Sequence, residues 1–141
     1  MDPLLHLGRT LDEVDPPRWP APPADATRLI RTVHALRHRK LGDLRPGDLR
    51  MLVAQQVALH CTLPLAALLL LEAPLLDATF YPGDLLLTAA GAPDSAWALL
   101  PDLRTRLSAQ IAALPDADLA ELPRGSTEEL ARFTGRPATQ P

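Results

Sequence analysis

Apolar residues recur at the three- and four-residue spacing of an α-helix along most of the chain, and no segment alternates strictly between apolar and polar positions beyond four residues. The first pattern is typical of helices that bury one face, whereas half-buried strands require the second. The pattern therefore predicts an all-α fold, a compact single-domain bundle of about six helices. These helices are predicted at about residues 28–39, 46–60, 63–73, 82–90, 93–100 and 101–114, with two weaker segments at 116–122 and 126–133.

Several predicted helices begin at a recognisable start signal. Pro-Gly-Asp-Leu occurs at residues 46–49 and again at 82–85, and proline at the first helical position with aspartate in the first turn favours a helix start. Because the flanking sequences differ, we interpret the two copies as a shared start signal rather than an internal repeat. Thr62 is placed to cap the third helix, whose leucines surround its axis, as expected of a helix buried on most sides.

The chain before the first helix differs in character. Residues 1–23 are rich in proline, with two adjacent proline pairs, and predict an extended N-terminal arm. Trp19 lies within this arm and predicts that it packs on the domain, because a large aromatic side chain gains much from burial. We therefore expect a packed arm over residues 1–23, a helical domain over 24–134 and a frayed tail over 135–141.

Composition agrees with a helical core and an intracellular location. Hydrophobic residues make up 47% of the chain but aromatic residues only 4%, so leucine and alanine, both good helix formers, must do most of the packing. The single cysteine, Cys61, excludes an internal disulfide. The N-terminus lacks a signal-peptide pattern, and the longest apolar run, residues 63–71, is far shorter than the ~20 residues that span a bilayer. We expect a soluble cytoplasmic protein with no membrane association.

Charge is distributed unevenly along the chain. Residues 28–50 carry a net charge of +5, whereas residues 51–103, here called the base-free segment, contain no Lys or Arg and five acidic residues. The net charge of −3 argues against a nucleic-acid-binding protein, which needs an excess of cations to neutralise phosphates. The carboxylates of the base-free segment must be solvated or must face cations elsewhere in the chain or on another protein. A basic protein partner suits this distribution.

No residue pattern indicates a catalytic or metal site. His34 and His38 have the i, i+4 spacing of two ligands on one helix face, but Arg37 and its basic neighbours would repel a metal ion. His60 and Cys61 are adjacent, and adjacent helical residues point about 100° apart, which is unsuitable for a nucleophile and its base. Phosphate-binding loops and hydrolase motifs are also missing from the sequence. We predict a binding protein rather than an enzyme, with no metal and no cofactor.

Several short segments, in a fixed order and spacing, resemble one known family. They are Leu11-Asp12-Glu13, Trp19, Asp25, His34-Ala35-Leu36-Arg37, Asp48-Leu49-Arg50-Met51-Leu52, Gln55-Gln56, Leu63-Pro64-Leu65-Ala66, Pro74-Leu75 and Phe80-Tyr81-Pro82-Gly83-Asp84-Leu85-Leu86. Together they resemble the immunity proteins of contact-dependent growth inhibition (CDI) systems, in the helical group paired with nuclease-type toxin domains. The resemblance implies a cytoplasmic protein that binds a cognate toxin domain, covers its active or substrate-binding surface, and catalyses nothing itself.

Five residues are candidates for contact with such a toxin. Asp77, Tyr81 and Asp84 could share one exposed rim, with Asp77 the strongest candidate because it has no evident structural task. Asp84 could instead serve the dipole of the helix it begins, and Tyr81 could pack its ring on the core. Gln55 and His60 are lesser candidates; a buried polar pair of Gln56 and His60 is the alternative for that region.

Other functions stay open at the level of the sequence. The chief alternative is a helical protein–protein interaction or regulatory domain that has no toxin partner, and another is a small hydrolase whose site has no familiar motif. The oligomeric state is also open.

Overall fold

The computed structural model describes residues 6–135, and within this part of the chain the fold is all-α with no β-strand. The helices are α1 (Leu11–Val14), α2 (Arg28–Leu36), α3 (Pro46–Ala54), α4 (Leu59–Glu72), α5 (Asp84–Ala90), α6 (Asp94–Trp97), α7 (Pro101–Ala112), α8 (Asp116–Ala120) and α9 (Ser126–Thr134). A 3₁₀ turn, Leu41–Asp43, precedes α3. The described residues thus form nine α-helices rather than about six, because the weaker segments and the turn at residue 11 are helical too. Residues 1–5 of the predicted arm and 136–141 of the predicted tail lie outside this range.

The boundary between α3 and α4 differs from its prediction. Helix α3 ends at Ala54 instead of residue 60, since Gln56 and Ala58 adopt φ angles of +56° and +49°, which a right-handed helix cannot contain. Helix α4 then begins at Leu59. Thr62 does not cap it: its hydroxyl lies inside the helix and donates to the carbonyls of Val57 and Ala58 at 3.1 and 3.2 Å.

The hydrophobic core has two parts, and α4 contributes to both. The larger part surrounds Trp97, which is fully buried, donates its indole N–H to the Ala89 carbonyl at 2.8 Å and meets the Phe133 ring edge-on at 4.9 Å. The smaller part joins α1, α2 and α3 to the first turns of α4 around Leu52. Eight side chains of α4 are buried, in agreement with the prediction of a helix enclosed on most sides. Within the described residues no helix is long and apolar enough to cross a membrane.

A buried arginine holds the segment around α1 against the end of α2. Arg37 is fully buried, and its guanidinium donates to Oδ1 of Asp12 at 2.8 Å, to Oδ2 of Asp15 at 2.8 Å and to the Asp15 carbonyl at 2.7 Å. The same group lies 4.4 Å from the centre of the Trp19 ring, within the range of a cation–π contact. One side chain therefore fixes residues 12–19 by charge, hydrogen bonds and stacking together.

The turn before α5 depends on a glycine. Gly83 has a φ of +94°, and an added Cβ would lie 2.6 Å from Cδ2 of Leu122. Gly125, with a φ of +89° and no atom within 4 Å of the added Cβ, is a matched control for the backbone effect. Alanine should lower the free energy of unfolding by about 1–2 kcal/mol at either position and by about 1 kcal/mol more at Gly83. Urea denaturation measures the free energy of unfolding of both variants, and equal decreases would show that the Leu122 side chain moves aside without cost.

Candidate partner-binding surface

The loop between α4 and α5 is organised by one carboxylate. Oδ1 of Asp84 accepts the N–H of Ala78 at 2.8 Å, and Oδ2 accepts the N–H groups of Thr79 at 2.9 Å and Phe80 at 2.8 Å. Burial alone raises the pKa of Asp84, but these three donors and the Leu85 N–H outweigh burial, and the pKa lies below its ordinary value. The carboxylate is therefore charged at neutral pH and closes the loop.

This geometry corrects two expectations for Asp84. The residue is only 3% exposed, so the prediction that it shares an exposed rim with Asp77 and Tyr81 is wrong. Helix α5 also begins at Asp84 rather than Pro82, whereas Pro46 in the other Pro-Gly-Asp-Leu copy is the first residue of α3. The same tetrapeptide therefore starts two helices at different positions. In the second copy Gly83 adopts a left-handed conformation, and the Asp84 side chain accepts hydrogen bonds from the preceding loop.

The loop presents an acidic and an aromatic side chain to solvent. Asp77 is exposed, and within residues 6–135 no Lys or Arg nitrogen lies within 4.0 Å of its carboxylate. Phe80 is 68% exposed on its outer side, while the Arg50 guanidinium of α3 lies 4.5 Å from its ring centre and donates to the Thr79 hydroxyl at 3.1 Å. The position of Asp77 is consistent with contact with a partner, which stays a prediction.

Tyr81 is half-buried and lies at the edge of a shallow cleft of about 250 Å³. The opposite wall comes from α8 and the residues after it, and includes Asp118, Glu121 and Leu122. The cleft therefore combines an aromatic ring with two carboxylates from a distant part of the chain. Sequence reasoning missed these two acids, because nothing in the weak pattern after residue 114 indicates which helix α8 approaches.

Gln55 and His60 do not join this loop. Both are exposed, and they flank the turn that links α3 to α4. The loop instead touches the start of α3, where an added Cβ on Gly47 would lie 3.0 Å from the Thr79 hydroxyl. Nine helical residues, about 13 Å at 1.5 Å per residue, separate the two ends of α3. The loop thus holds three of the five predicted residues: the exposed Asp77, the half-buried Tyr81 and the buried Asp84. The other two, Gln55 and His60, are exposed at the far end of α3.

The histidines and the cysteine are engaged in separate contacts. His34 meets the Trp19 ring edge-on at 4.9 Å, whereas Nδ1 of His38 lies 3.1 Å from Oδ2 of Asp12. Burial raises the pKa of the Cys61 thiol to about 11, with the Asp15 charge adding to the rise, so the thiol is protonated at neutral pH and is a poor nucleophile. In the part of the chain that the structure describes, no three His, Cys, Asp or Glu residues are grouped as a metal site requires.

Comparison with known protein families gives a match that covers most of the elements described above. The sequence profile of the CDI immunity proteins matches residues 13–107, which is more than half of the chain. The chain belongs to this family. Membership confirms the resemblance noted in the sequence and implies that this immunity protein neutralises a cognate toxin by binding it. No curated protein and no solved structure matches the chain.

The family match covers some of the candidate surface of the immunity protein but not all of it. It contains the loop from Asp77 to Gly83, the turn with Gln55 and His60, and the whole base-free segment. It ends before α8, so the carboxylates of Asp118 and Glu121 lie outside the part shared with the family profile. These two acids are features of this chain that the family match does not account for.

Proposed function

We propose that the immunity protein acts in the cytoplasm on a nuclease-type CDI toxin domain and covers that domain's active or substrate-binding surface. The observation that carries this proposal is the family match over residues 13–107. In this account the protein does no catalysis: it inhibits by occupying the surface that the toxin needs for its substrate. The protonated thiol of Cys61 and the separate contacts of His34 and His38 support a binding role.

Charge supports the nuclease part of the proposal. A nuclease presents Lys and Arg side chains to the phosphates of its substrate, and a surface rich in carboxylates can attract the same side chains. The exposed Asp77, Asp94 and Asp102 all belong to the base-free segment, and Asp118 and Glu121 extend the acidic surface beside Tyr81. Such charges accelerate association and select against acidic partners more than they add affinity.

The direct test is protection in living cells. The toxin domain to use is the C-terminal domain of the secreted or cell-surface protein encoded immediately upstream of this chain. Expressed alone it should arrest growth, and co-expression of the immunity protein should restore growth and yield a complex that purifies together. If growth stays arrested although both proteins are made, and no complex is recovered, the proposed function is wrong.

Reversing one exposed charge tests the electrostatic part separately. Asp77→Lys should slow association with the toxin domain about tenfold at low salt, because it places a cation where the account needs an anion, and the difference should shrink as salt increases. Asp25→Lys makes the same charge change at an exposed position outside the base-free segment and should change the rate less than threefold. Stopped-flow fluorescence measures both, and equal rates for the two variants would contradict a role for the acidic surface.

A further inference from the structure

A second surface feature lies away from the loop, at the start of α4. There a half-open groove of about 530 Å³ runs between the first turns of α4, helix α6 and the turn that joins α6 to α7. Its walls are mostly apolar and include Leu59, Pro64, Ala96, Leu99 and Leu100. The exposed His60, one of the residues predicted to contact a partner, also lines it. The groove therefore links a predicted contact residue to an apolar recess that the sequence did not indicate.

Leu99 at the edge of this groove is 73% exposed, the most of any large apolar side chain in the described residues. Its turn is nevertheless well anchored. The Leu99 N–H donates to the Ala96 carbonyl at 3.3 Å, the Leu100 N–H donates to the Trp97 carbonyl at 2.8 Å, and Trp97 itself is fully buried and hydrogen-bonded to Ala89. Because these bonds already fix the backbone of the turn, a partner that covers Leu99 orders little additional backbone.

The charges near the groove indicate the chemistry of its occupant. The groove includes no Lys or Arg, and all of its residues except His6 and Leu41 belong to the base-free segment. Asp94, 93% of whose side chain is exposed, directly precedes groove residue Ser95, and the exposed Asp102 follows Leu100 by two positions. Asp94 lies 3.7 Å from Arg104, which also donates to the Phe133 carbonyl at 3.1 Å. An apolar recess with carboxylates at its margin suits an apolar side chain flanked by Lys or Arg.

We propose that this groove is the anchor site for the toxin: it receives an apolar side chain of the toxin domain, flanked by basic residues, and Leu99 packs against that side chain. The proposal rests on the proposed function, since it needs a toxin partner. It assigns the two surfaces different tasks. The acidic surface around Asp77 raises the association rate. The groove slows dissociation, because a few fully desolvated anchor residues supply most of the binding energy of an interface.

Three variants test the anchor site by surface plasmon resonance with the purified toxin domain encoded upstream, which measures association and dissociation rates separately. Leu99→Asp places a charge in the contact and should weaken binding at least 100-fold, almost entirely through faster dissociation. Ser95→Trp fills the groove with the chain's own side chain and should weaken binding at least tenfold. Leu29→Asp changes another exposed leucine, 40% accessible on α2, and should stay within threefold of wild type. Thermal unfolding should be unchanged for the Leu99 variant, since that side chain is already in solvent.

A Ser95→Cys variant supplies a second readout. Ser95 is exposed and lines the groove, whereas Cys61, the only cysteine of the chain, is buried and protonated and should react slowly. A toxin side chain seated in the groove should slow alkylation of the introduced thiol by iodoacetamide at least tenfold, and adding Leu99→Asp should remove this protection at the same toxin concentration. This measurement reports occupancy of the groove, because an exposed thiol reacts without unfolding of the chain.

The possible results separate the anchor site from the proposed function. If wild type and Leu99→Asp bind the toxin equally well, or if the toxin leaves alkylation of the Ser95→Cys variant unchanged, the anchor site is wrong while the proposed function stands. If the wild type does not bind the toxin domain at all, both proposals fail. If light scattering shows a dimer of the wild type that Leu99→Asp converts to monomer, the groove holds a second copy of the chain, and the anchor site is again wrong.

Discussion

Replacing Arg37 with methionine is expected to lower the free energy of unfolding by about 3–5 kcal/mol, the usual cost of removing one partner from a buried ion pair. Methionine fills much of the arginine's volume but carries no charge. Asp12, whose side chain is 7% exposed, would then be left without its main cation. Asp15 would lose two polar contacts with the guanidinium, one to its carboxylate and one to its backbone carbonyl. Trp19 would lose the cation against its ring. The segment from residue 12 to 19 should therefore detach before the rest of the fold.

Arg39 is the matched control for this experiment. It lies two residues further along and pairs with Asp48 at 3.1 Å, but about half of its side chain is exposed. Arg39→Met should cost less than about 1 kcal/mol, since surface ion pairs contribute little. Urea denaturation followed by circular dichroism measures both variants. A change in tryptophan fluorescence at lower urea than the loss of helix reports detachment of Trp19, because Trp97 stays in the core until the fold is lost. Similar losses for the two variants would contradict a special role for the buried arginine.

Replacing Asp84 with asparagine should lower the free energy of unfolding by about 2–3 kcal/mol, although the two side chains have nearly the same shape. Oδ1 and Oδ2 both accept backbone N–H groups, and an amide offers only one acceptor atom. The new NH₂ group would face at least one N–H, so a buried donor would be left unsatisfied. Asp94→Asn is the control: its exposed carboxylate also lies in the first turn of a helix, and its replacement should change stability by less than about 0.5 kcal/mol.

Acid should destabilise the wild type more than it destabilises the Asp84→Asn variant. The pKa of Asp84 in the folded chain is below its value in the unfolded chain, so its contribution to stability is fully present above the unfolded pKa of about 3.9 and is lost as pH falls through the folded pKa. The pKa of Asp12 is shifted in the same direction: burial raises it, but hydrogen bonds from Arg37 and the Trp19 N–H, with the charges of Arg37 and His38, outweigh burial. As pH falls below 4, the melting temperature should fall less for Asp84→Asn than for the wild type. Equal falls in melting temperature for the two proteins would contradict a stabilising role for the Asp84 carboxylate.

The sequence predicts a helix well where a start residue and regularly spaced apolar residues lie close together in the chain. Five of the six main helices, α2, α3, α5, α6 and α7, begin at or directly after a threonine, proline or aspartate within two residues of the predicted start. Helix α4 is the exception, because it begins at Leu59, four residues before its prediction. The break between α3 and α4 has no such signal. Residues 55–58 contain neither glycine nor proline, and the left-handed conformations of Gln56 and Ala58 are stable only because buried neighbours such as Val57 and Thr62 hold the turn. Tertiary packing decides this boundary, and a local pattern cannot show it.

The candidate surface is less accessible to sequence reasoning than the fold. Asp84 follows a helix-start signal, but its partners are three N–H groups of a loop that folds back onto it, a contact that no periodicity describes. Leu99 counts toward the apolar face of a predicted helix over residues 93–100. That helix ends at Trp97, so Leu99 lies outside it on an exposed turn. Because the helix ends three residues earlier than predicted, Leu99 lies at the edge of a groove instead of in the core.

The base-free segment combines two tasks in this account. Its leucines, alanines and Trp97 form most of the larger core. Its other residues form the loop with Asp77 and most of the groove. In the sequence, the lack of Lys and Arg only indicated that its carboxylates need solvent or a cationic partner. In the structure, the Asp84 carboxylate accepts backbone N–H groups of the loop. Asp77 is exposed, and among residues 6–135 no Lys or Arg nitrogen lies within 4.0 Å of its carboxylate.

The most direct test of the account is a titration of toxin activity with the purified immunity protein. The toxin domain encoded upstream is incubated with RNA or plasmid DNA, and the rate of cleavage is measured as immunity protein is added at concentrations well above the dissociation constant. We predict that cleavage falls in proportion to the added protein and stops at one equivalent, while the Leu99→Asp variant inhibits only at a large excess. Full cleavage in the presence of a tenfold excess of the wild-type protein would contradict the central claim that this chain neutralises the toxin by binding it.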